Sequence, residues 1–345
     1  MDKIRIGVLG PSEIAYRRVI PSLKKIPNLE YIGVASADIQ ERLGKTKPDI
    51  QKHSLEKCKN AQKDFGGEIF LGYENLLSSD KVDCVYIPLP PALHYKWAKK
   101  ALEYGKHVFL EKPFTISLAE TKDLIETAQS KNLALHENYM FLYHSQLEFI
   151  KNEIANNILG DLRLIQINFG FPFRGDSDFR YNKFLGGGAL FDCAGYTIKL
   201  ASVLLGNTAR IAFSKLNFIN RYDVDIYGNA VVVNDDNLTA NISFGMDNDY
   251  RCSLDIWGSK GSFFTDRIFT APNDFEPVIK IKNSSGIFEK KLSADDHFEN
   301  SARFFMDCMN DIKTRQANYS DILKQAELVE QLLNMSSLIK DKETV

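Results

Sequence analysis

The stretch Ile4–Ala15, which reads IRIGVLGPSEIA, decides how the N-terminal part of this 345-residue chain folds. Its first six residues are mostly apolar, which is typical of a short buried strand, and Gly10 then breaks that strand. Ile14 and Ala15 begin an apolar segment that predicts a helix as far as Leu23. A strand, a tight glycine turn and a helix N-terminus together indicate a dinucleotide-binding turn, where unpaired backbone N–H groups face a pyrophosphate.

The glycine pattern of this turn departs from the dinucleotide-binding motif G-x-G-x-x-G/A. Gly10 stands at the first glycine position, and Ala15 at the last position is small enough for the helix to lie close to the strand. Ser12 replaces the middle glycine. An incomplete motif also fits the first βα unit of any parallel sheet, so the motif alone does not distinguish a cofactor site from an ordinary turn.

The second strand, LEYIGVAS from Leu29 to Ser36, ends where the adenosine ribose lies in dinucleotide-binding folds. An acidic side chain at this corner accepts hydrogen bonds from the ribose hydroxyls of NAD, but here Ser36 and Ala37 occupy it. Ser36 is able to bond a 2′-phosphate if Arg42 or a lysine supplies the charge. Asp38 fits a cap of the next helix. The residues at this corner favour NADP over NAD, and both cofactors stay as alternatives.

Strands alternate with helices from the start of the chain to about residue 140. Residues 82–90, VDCVYIPLP, and 107–113, HVFLEKP, are buried strands by their apolar runs and their prolines. The helices Leu93–Tyr104 and Leu118–Ser130 are predicted after them, while the basic stretch Lys45–Lys63 fits a solvated helix face or a loop. This alternation predicts an α/β fold with a doubly wound parallel (Rossmann) sheet.

Beyond Gly160 the pattern changes to strands separated by short turns, which predicts an α+β domain with a large, mostly antiparallel open sheet. One helix, Ala189–Leu205, interrupts the strands directly after three consecutive glycines. Two final helices are predicted over Phe298–Lys313 and Asp321–Leu338, with Ser320 as the cap of the second.

We therefore expect a dinucleotide-binding domain over residues 1–125 and a substrate-binding and oligomerisation domain over residues 126–345. The strands NAVVVND and LTANISFGM keep apolar residues for a second face of the open sheet. Burial of that face against another subunit removes an exposed apolar patch. The sequence predicts a homodimer or homotetramer that forms through the C-terminal sheet.

Composition argues against several classes of protein. The chain is 44% hydrophobic and 26% charged with a formal net charge of −2, so no basic surface indicates nucleic acid or an anionic membrane as a partner. No apolar run approaches the roughly 18 residues of a membrane span, and the N-terminus lacks a secretory pattern. Five cysteines without a C-x-x-C pair, and no cluster of ligands, indicate a cytoplasmic location and no metal site.

Four motifs in order carry a resemblance to a known family. They are IGVLGPSEIA at residues 6–15, VYIPLPPALHYKWAKKALEYGKHVFLEKP at 85–113, ENYMFLYHSQ at 137–146 and GGGALFDCAGYTIKL at 186–200. The chain resembles the Gfo/Idh/MocA oxidoreductases over most of its length. Within that family, IAYRRVIPSL, MFLYHSQ and Tyr196 are most similar to the nucleotide-sugar 3-ketoreductases of deoxysugar pathways.

The resemblance implies a set of site residues. Lys112, in Glu-Lys-Pro, matches the family's catalytic lysine beside the nicotinamide, and Asp192 and Tyr196 match its aspartate and its histidine-or-tyrosine. The matching cofactor-binding positions are Gly10, Ser12, Glu13, Ile14, Ala15, Ser36, Pro88, Leu89, His94, Glu111 and Lys112. Two departures are Pro91, which replaces a frequent asparagine, and Ala37, which replaces an arginine often found in NADP users.

Elementary chemistry agrees with these roles. Ligands of open parallel sheets bind outside the carboxyl ends of the strands, where Lys112 lies. Asp192 and Tyr196 are four residues apart on a predicted helix and share one face, and the glycines before them allow a ligand to approach the backbone closely. His94, in the first turn of a helix, is expected to stay uncharged beside the cofactor because the helix dipole disfavours its charge.

The implied activity is hydride transfer between NAD(P) and a sugar carbonyl or hydroxyl, most closely the 3-keto group of a nucleotide-linked hexose. Tyr196 would exchange a proton with the sugar oxygen, Lys112 would lower the pKa of the phenol and polarise that oxygen, and Asp192 would orient a hydroxyl. One alternative is a free-sugar or inositol dehydrogenase of the same family. The other is a cofactor-binding sensor without catalysis, for which the loss of the lysine is expected, whereas Lys112 is present.

Overall fold

The structure, a computed structural model, describes residues 3–37 and 48–343 of the chain. Its contacts divide the chain into two compact units. The first unit comprises Met1–Thr115, Ala119–Asn138 and Phe298–Ile322, and the second comprises Ile116–Leu118, Tyr139–His297 and Leu323–Val345. Each unit thus combines segments that are distant in the sequence. The division into domains at residue 125 stays a prediction.

The first unit is built on a parallel sheet. Its strands are β1 (Ile4–Leu9), β2 (Leu29–Ser36), β3 (Glu68–Leu71), β4 (Cys84–Ile87), β5 (His107–Leu110) and β6 (Leu135–Glu137). They lie in the order β3-β2-β1-β4-β5-β6 with every pair parallel, which is the order of a doubly wound dinucleotide-binding sheet. The predicted α/β class and Rossmann arrangement are confirmed.

Helices connect these strands. They are α1 (Ile20–Leu23), which follows a π-helical turn at Ala15–Val19, α2 (Pro48–Phe65), α3 (Tyr73–Leu77), α4 (His94–Glu103) and α5 (Leu118–Lys131). The predictions for α4 and α5 agree with the structure to within one residue at each end. For the region of α2, the sequence was compatible with either a solvated helix or a loop. The many polar residues of this region hide the helical periodicity of its apolar residues.

The second unit is built on a larger sheet. Its strands are β7 (Leu162–Gly170), β8 (Arg210–Phe218), β9 (Asp225–Val233), β10 (Thr239–Gly245), β11 (Arg251–Gly258), β12 (Gly261–Thr265), β13 (Val278–Asn283) and β14 (Gly286–Lys291). Their order is β14-β13-β12-β11-β7-β10-β9-β8, and β7 with β10 is a parallel pair among antiparallel ones. The predicted mostly antiparallel open sheet is confirmed. The sequence did not predict β14, whose six residues are all exposed.

Two helices of the second unit are α6 (Ser145–Ala155), which was not predicted, and α7 (Gly195–Leu205). A π-helical segment, Leu190–Ala194, leads directly into α7, which packs against β7 and β10. The stretch Lys183–Leu205 is long and apolar enough to cross a membrane, but 78% of its apolar window is buried inside the protein. Its helical part, residues 190–205, is packed in the core of this unit.

The segment Phe298–Ile322 joins the first unit through a buried guanidinium. Arg315 is 6% exposed and donates to three backbone carbonyls, those of Cys308 at 2.8 Å, Met309 at 2.6 Å and Asn132 at 2.9 Å. The first two belong to the last turn of helix α8 (His297–Asn310). The carbonyl groups of a last turn have no N–H partner within the helix. One side chain therefore ends α8 and anchors it to the loop before β6.

The last helix, α9, corrects a prediction. It is continuous over Ile312–Glu343, so no helix begins at Ser320. The Ser320 hydroxyl donates to the Gln316 carbonyl one turn earlier at 3.3 Å, as a serine inside a helix does. The cap is Asp311 instead, because its carboxylate accepts a hydrogen bond from the Thr314 N–H at 2.8 Å.

Replacement of Arg315 by methionine is expected to lower the free energy of unfolding by about 2–4 kcal/mol, because three carbonyls lose a buried charged donor. Arg303→Met is the matched control, since Arg303 is exposed and pairs with Glu299 in a surface ion pair worth at most about 1 kcal/mol. Denaturant unfolding measures both variants. Equal losses in the two variants would contradict the anchoring role of Arg315.

Candidate functional site

The turn after β1 requires the backbone freedom of glycine. Gly10 has a φ of +96°, and a Cβ atom there would lie 2.9 Å from the Leu89 side chain and 3.2 Å from the Tyr73 hydroxyl. Its N–H donates to the Ala35 carbonyl on β2 at 3.1 Å, which fixes the turn against the sheet. The chain thus turns sharply at the carboxyl end of β1, as the sequence predicts.

Ser12, at the position of the missing glycine, caps the helix that follows. Its Oγ accepts a hydrogen bond from the Ala15 N–H at 3.1 Å, and Ala15 is fully buried. Glu13 is exposed and pairs with Arg17 at 2.8 Å, and Ile14 is 36% exposed. The first N–H groups of the helix have no acceptor within it. This solvent-facing turn fits the pyrophosphate of a dinucleotide.

The end of β2 forms the predicted ribose corner. Ser36 is buried, and its hydroxyl lies 3.5 Å from a backbone carbonyl, which is a long hydrogen bond. Ala37 is also buried, and its N–H donates to the Ser54 hydroxyl at 3.3 Å. Asp38 and Arg42, the charged residues considered for this corner, lie outside the described residues.

His94, the first residue of α4, lies between the segment that follows β4 and the segment that follows β5. Its Nε2 is 2.7 Å from the carbonyl oxygen of Leu89, which follows the buried Pro88, and its Nδ1 is 2.7 Å from the carbonyl oxygen of Pro113. Burial lowers the pKa of His94 to about 4; the two carbonyl oxygens oppose this shift, and the charge of Lys112 adds to it. The ring is neutral at pH 7, as predicted. The main cause is burial, whereas the sequence analysis named the helix dipole.

Glu111 and Lys112 follow β5. The Glu111 Oε1 accepts hydrogen bonds from the Tyr86 hydroxyl and the Asn138 amide, both at 2.6 Å. Burial raises the pKa of Glu111, and these two bonds and the charge of Lys112 act in the opposite direction. Lys112 is half-buried and is joined to Pro113 by a cis peptide bond. Lys112 thus follows the carboxyl end of β5, at the sheet edge where ligands of parallel sheets bind.

A polar network behind Glu111 was missed by the sequence analysis. The Ser301 hydroxyl donates to the Asn138 Oδ1 at 2.9 Å and also lies 2.9 Å from the His136 Nε2. All three side chains are buried, and they connect α8 to the carboxylate of Glu111. Asn138 and Ser301 are 163 positions apart, so no local sequence signal links them.

In the second unit, Asp192 lies in the π-helical segment before α7 and is 9% exposed. The Arg180 Nε donates to its Oδ2 at 2.7 Å, and the Arg180 Nη1 lies 3.2 Å from both carboxylate oxygens of Asp178. Burial lowers the pKa of Arg180, but the charges of Asp192 and Asp178 outweigh burial, so the pKa is raised overall. The sequence analysis missed Arg180, which carries no motif of its own.

The glycines before α7 approach the protein's own groups. Gly188 has a φ of +117°, and a Cβ atom there would lie 2.5 Å from the Asp225 carboxylate. A Cβ atom at Gly187 would lie 2.3 Å from the carbonyl oxygen of Arg180. The close backbone approach predicted for a ligand is thus made by the chain itself, and it closes the loop that brings Arg180 to Asp192.

Tyr196, in the first turn of α7, is 6% exposed, and its hydroxyl lies 3.8 Å from the Met140 sulfur. Its ring is enclosed by aromatic rings at centroid distances of 5.1 to 5.9 Å, those of Tyr139, Phe141, Phe169 and Phe269. This packing fixes the orientation of the phenol. The statement that Asp192 and Tyr196 lie on the same face of the helix stays a prediction. It assumed 3.6 residues per turn, and the π-helical segment departs from that number.

These groups define the chemistry available. The first unit offers a dinucleotide turn and the ammonium of Lys112, and the second offers the phenol of Tyr196 and the carboxylate of Asp192. Among residues 3–37 and 48–343, no group of three or more His, Cys, Asp or Glu is placed to hold a metal ion. Such a set suits hydride transfer with a dinucleotide, coupled to proton transfer at an oxygen.

Two family models match the chain. The oxidoreductase family with an NAD-binding Rossmann fold, Gfo/Idh/MocA, covers residues 4–139, and its C-terminal domain covers residues 148–264. A dTDP-3,4-didehydro-2,6-dideoxy-alpha-D-glucose 3-reductase from Actinomadura kijaniata is 33% identical over 95% of this chain and 94% of its own length. The chain belongs to the Gfo/Idh/MocA oxidoreductase family.

Other members of the Gfo/Idh/MocA family are also similar to this chain over nearly its whole length. The reductase of the same name from Streptomyces violaceoruber is 34% identical over 98% of this chain and 96% of its own length. The solved 3-ketoreductase from Actinomadura kijaniata, in complex with NADP and TDP-benzene, has a TM-score of 0.88 and 32% identity over 96% of this chain and 98% of that chain. Its solved variants include a tyrosine replaced by phenylalanine and a lysine replaced by alanine. The resemblance drawn from the motifs is confirmed.

The π-helical turns of the described residues both lie at family motifs. One, Ala15–Val19, follows the Gly10 turn, and the other, Leu190–Ala194, contains Asp192. Such turns are rare and are found frequently at functional sites, because the extra residue redirects neighbouring side chains. Neither was predicted, since a π-helical turn has no reliable composition of its own.

The depressed pKa of His94 makes a prediction about stability and pH. Its folded-state pKa of about 4 lies below the ordinary value, so its contribution to stability is complete above about pH 6.5 and is lost as the pH falls toward 4. The loss from this one group is up to about 3 kcal/mol. In His94→Gln that part of the pH dependence is expected to disappear.

Denaturant unfolding at about pH 7, 6 and 5 measures this effect. His53→Gln is the control, because His53 is an exposed histidine on α2. It should keep the pH dependence of the original protein. A His94→Gln protein with that same dependence would contradict the buried neutral ring.

Proposed function

We propose that the protein is an NADP(H)-dependent 3-ketoreductase that acts on a dTDP-linked deoxyhexose. The observation that carries the proposal is the full-length similarity to two dTDP-3,4-didehydro-2,6-dideoxy-alpha-D-glucose 3-reductases. The half-buried Lys112 after the carboxyl end of β5 and the enclosed phenol of Tyr196 support it. So does the relative solved with NADP and TDP-benzene, which holds both kinds of ligand that the proposal needs.

The first unit would hold the cofactor, and NADP(H), when bound, supplies the hydride. The pyrophosphate is assigned to the first N–H groups of the helix, those of Glu13 and Ile14, because the Gly10 and Ser12 N–H groups already donate to carbonyl oxygens and Pro11 has no N–H. The adenosine ribose is assigned to Ser36, where the lack of a carboxylate at Ser36 and Ala37 favours a 2′-phosphate. The other proposed cofactor-binding residues are Gly10, Ser12, Ala15, Pro88, Leu89, His94, Glu111 and Lys112.

The protein's own residues would handle the proton. In the reductive direction the C3 carbon gains a hydride and its oxygen gains a proton, so that the ketone becomes an alcohol. Tyr196 is the proposed proton donor, and the positive charge of Lys112 stabilises both the developing alkoxide and the phenolate that remains. Asp192, held by the 2.7 Å bond from Arg180, is the proposed acceptor for a substrate hydroxyl.

Tyr196→Phe is expected to slow single-turnover hydride transfer by about 10²–10⁴-fold, the usual contribution of general acid–base catalysis. Lys112→Ala should lose at least as much, because it removes the charge that stabilises the reacting oxygen. The double variant should be little worse than the poorer single variant, since both residues serve one step. Rapid mixing with NADPH and a dTDP-linked 3-keto sugar gives the rates, and cofactor fluorescence gives NADPH affinity, which should change much less.

The matched controls are Tyr95→Phe and Lys96→Ala, two neighbouring residues of α4. Near-normal turnover in both single variants would contradict the mechanism. Turnover of free sugars or inositol but of no nucleotide sugar would replace the proposal by a dehydrogenase. Tight NADPH binding without turnover of any sugar would favour a sensor.

We also propose that the open face of the second sheet pairs with a second copy of the chain. Leu164 on β7 and Trp257 on β11 are cross-strand neighbours, and Trp257 is 62% exposed. A shallow pocket of about 290 Å³ lies there, lined by Leu164, Gln166, Asp255, Trp257 and Ser262. The outward positions of β9 are Tyr227, Asn229, Val231 and Val233, so this strand keeps apolar residues on the open face, whereas β10 presents polar residues there. The apolar part of the proposed interface therefore includes β9 as well as Trp257.

Trp257→Glu is expected to convert a dimer or tetramer into a 39.2 kDa monomer, because a buried carboxylate would have no partner in the interface. Tyr104→Glu, at a 45% exposed aromatic residue of the first unit, is the control and should keep the assembly. Sedimentation at micromolar concentration measures the mass. A monomeric protein before any substitution would contradict the proposal.

We infer a cytoplasmic location from the cysteines. All five cysteines, Cys58, Cys84, Cys193, Cys252 and Cys308, are buried, and none of them forms a disulfide bond in the described structure. Cysteines without disulfide bonds are typical of a reducing compartment. The soluble nucleotide sugar that the proposed reaction consumes agrees with that compartment.

A further inference from the structure

A buried glutamine of the last helix has no part in the chemistry above. Gln325 lies on α9 and is 3% exposed. Its amide nitrogen donates to the carbonyl oxygen of Gly195 at 2.9 Å and to the hydroxyl of Tyr139 at 3.3 Å. All three residues belong to the second unit, although Gln325 is 130 positions from Gly195 and 186 from Tyr139. One amide group therefore joins α9 to the first residue of α7 and to Tyr139.

The amide of Gln325 is a costly choice for packing alone. Its oxygen is buried and accepts no hydrogen bond from residues 3–37 or 48–343. A buried acceptor without a donor lowers stability, and an apolar side chain of the same length avoids that cost. The position is therefore explained by the two hydrogen bonds that the amide nitrogen donates.

Gly195 leaves room for the Tyr139 hydroxyl. Its φ of −51° and ψ of −41° are ordinary helical values, and alanine is a better helix former than glycine, so the backbone conformation does not require glycine. A Cβ atom at Gly195, however, would overlap the Tyr139 hydroxyl oxygen. That hydroxyl thus lies against the backbone of α7 directly before Tyr196.

Tyr139 also contacts the ring of Tyr196. The two ring centroids are 5.3 Å apart and the ring planes are inclined by 82°, which is an edge-to-face arrangement. Tyr139 is 1% exposed and Tyr196 is 6% exposed, so the surrounding packing leaves little freedom to either ring. Tyr139 therefore restrains the side chain of Tyr196 and the peptide group before it, and Gln325 bonds both Tyr139 and that peptide group.

We propose that Gln325 and Tyr139 are positioning residues for Tyr196, which hold its phenol where the hydroxyl reaches the reacting oxygen of the substrate. This inference rests on the proposed function, because it takes the proton transfer by Tyr196 from it. It goes beyond that function by giving the last helix a part in the reaction. A proton donor acts within hydrogen-bond distance, and a displacement of about 1 Å reduces a rate by about 100-fold.

The first test removes the donor. Gln325→Met keeps the length of the side chain and is expected to slow single-turnover hydride transfer by about 10- to 100-fold. The KM for the nucleotide sugar and the affinity for NADPH should change little. In D₂O this variant should slow by a larger factor than the unaltered protein, because a misplaced phenol makes proton transfer limit the rate.

Gln331→Met is the matched control for Gln325→Met. Gln331 is another glutamine of α9, and its side-chain oxygen accepts a hydrogen bond from the Ile211 N–H on β8 at 3.1 Å. This control loses a comparable side-chain bond to the backbone, but not at the peptide group before Tyr196. It should keep normal hydride transfer, and denaturant unfolding compares the stabilities of the two variants.

The second test is a rescue. Gly195→Ala is expected to slow hydride transfer by about 100-fold, because the added methyl group and the Tyr139 hydroxyl compete for the same space. Tyr139→Phe in the same protein removes that hydroxyl, and the nearest remaining ring atom would lie 3.3 Å from the new Cβ atom. The double variant should recover most of the lost rate. Tyr250→Phe, at a 40% exposed tyrosine of the same unit, is the control and should not rescue Gly195→Ala.

The outcomes separate this proposal from the proposed function. Slow hydride transfer in Gln325→Met, with rescue of Gly195→Ala by Tyr139→Phe, would support the positioning role. Normal hydride transfer in Gln325→Met and Gly195→Ala, beside a slow Tyr196→Phe, would overturn that role and leave the reductase intact. Normal hydride transfer in Tyr196→Phe would overturn both.

Two further results would overturn the positioning role alone. One is an equal loss of rate in Gln325→Met and Gln331→Met, and the other is a raised KM in Gln325→Met without a change of rate. If Gln325→Met does not fold, the rescue experiment decides by itself, and a Gly195→Ala protein that Tyr139→Phe does not rescue would overturn the proposal.

Discussion

The first unit's site depends on the buried ring of His94. Its two nitrogens lie 2.7 Å from the carbonyl oxygens of Leu89 and Pro113, which follow neighbouring strands of the parallel sheet. A neutral ring has a single N–H and donates to one of these two oxygens, while it packs between the segments that follow β4 and β5 and so restrains the turn that carries Lys112. Glu111 precedes Lys112 and accepts hydrogen bonds from Tyr86 and Asn138, which restrain the same turn.

The second unit uses a charged residue for the equivalent purpose. Arg180 lies between Asp178 and Asp192, and glycines at 187 and 188 let the loop close on the chain without side chains in the way. Tyr196 is fixed differently, by the aromatic rings around it. Each unit thus orients its reactive groups with buried polar or aromatic contacts, which agrees with a site that is organised before the substrate arrives.

Much of this architecture was accessible from the sequence because its signals are local. Apolar runs, the glycine turn and the change from alternating helices to short turns predicted both sheets, and the ordered motifs predicted Lys112, Asp192 and Tyr196. Arg180 and Arg315 were not predictable in the same way. Each acts through contacts that the chain forms only after folding, such as the bonds of Arg315 to a carbonyl 183 positions away.

The errors have the same origin. Ser320 is a good cap by residue type, but Asp311 begins the helix nine residues earlier, and only the folded structure shows which of the two is used. The prediction that the glycines before α7 let a ligand approach stays a prediction, and the structure adds that they let Arg180 and Asp225 of the chain itself approach. Residue type predicts that the backbone needs room, but it does not identify the neighbour.

The destination of the hydride tests the central claim most directly. The protein is mixed with NADPH that carries deuterium at the nicotinamide C4 and with a dTDP-linked 3-keto deoxyhexose, and the product is examined by NMR and mass spectrometry. We expect one deuterium atom at C3 of the nucleotide sugar and matching consumption of the cofactor. Deuterium at another carbon, or cofactor that stays unconsumed while the sugar is bound, would contradict a 3-ketoreductase.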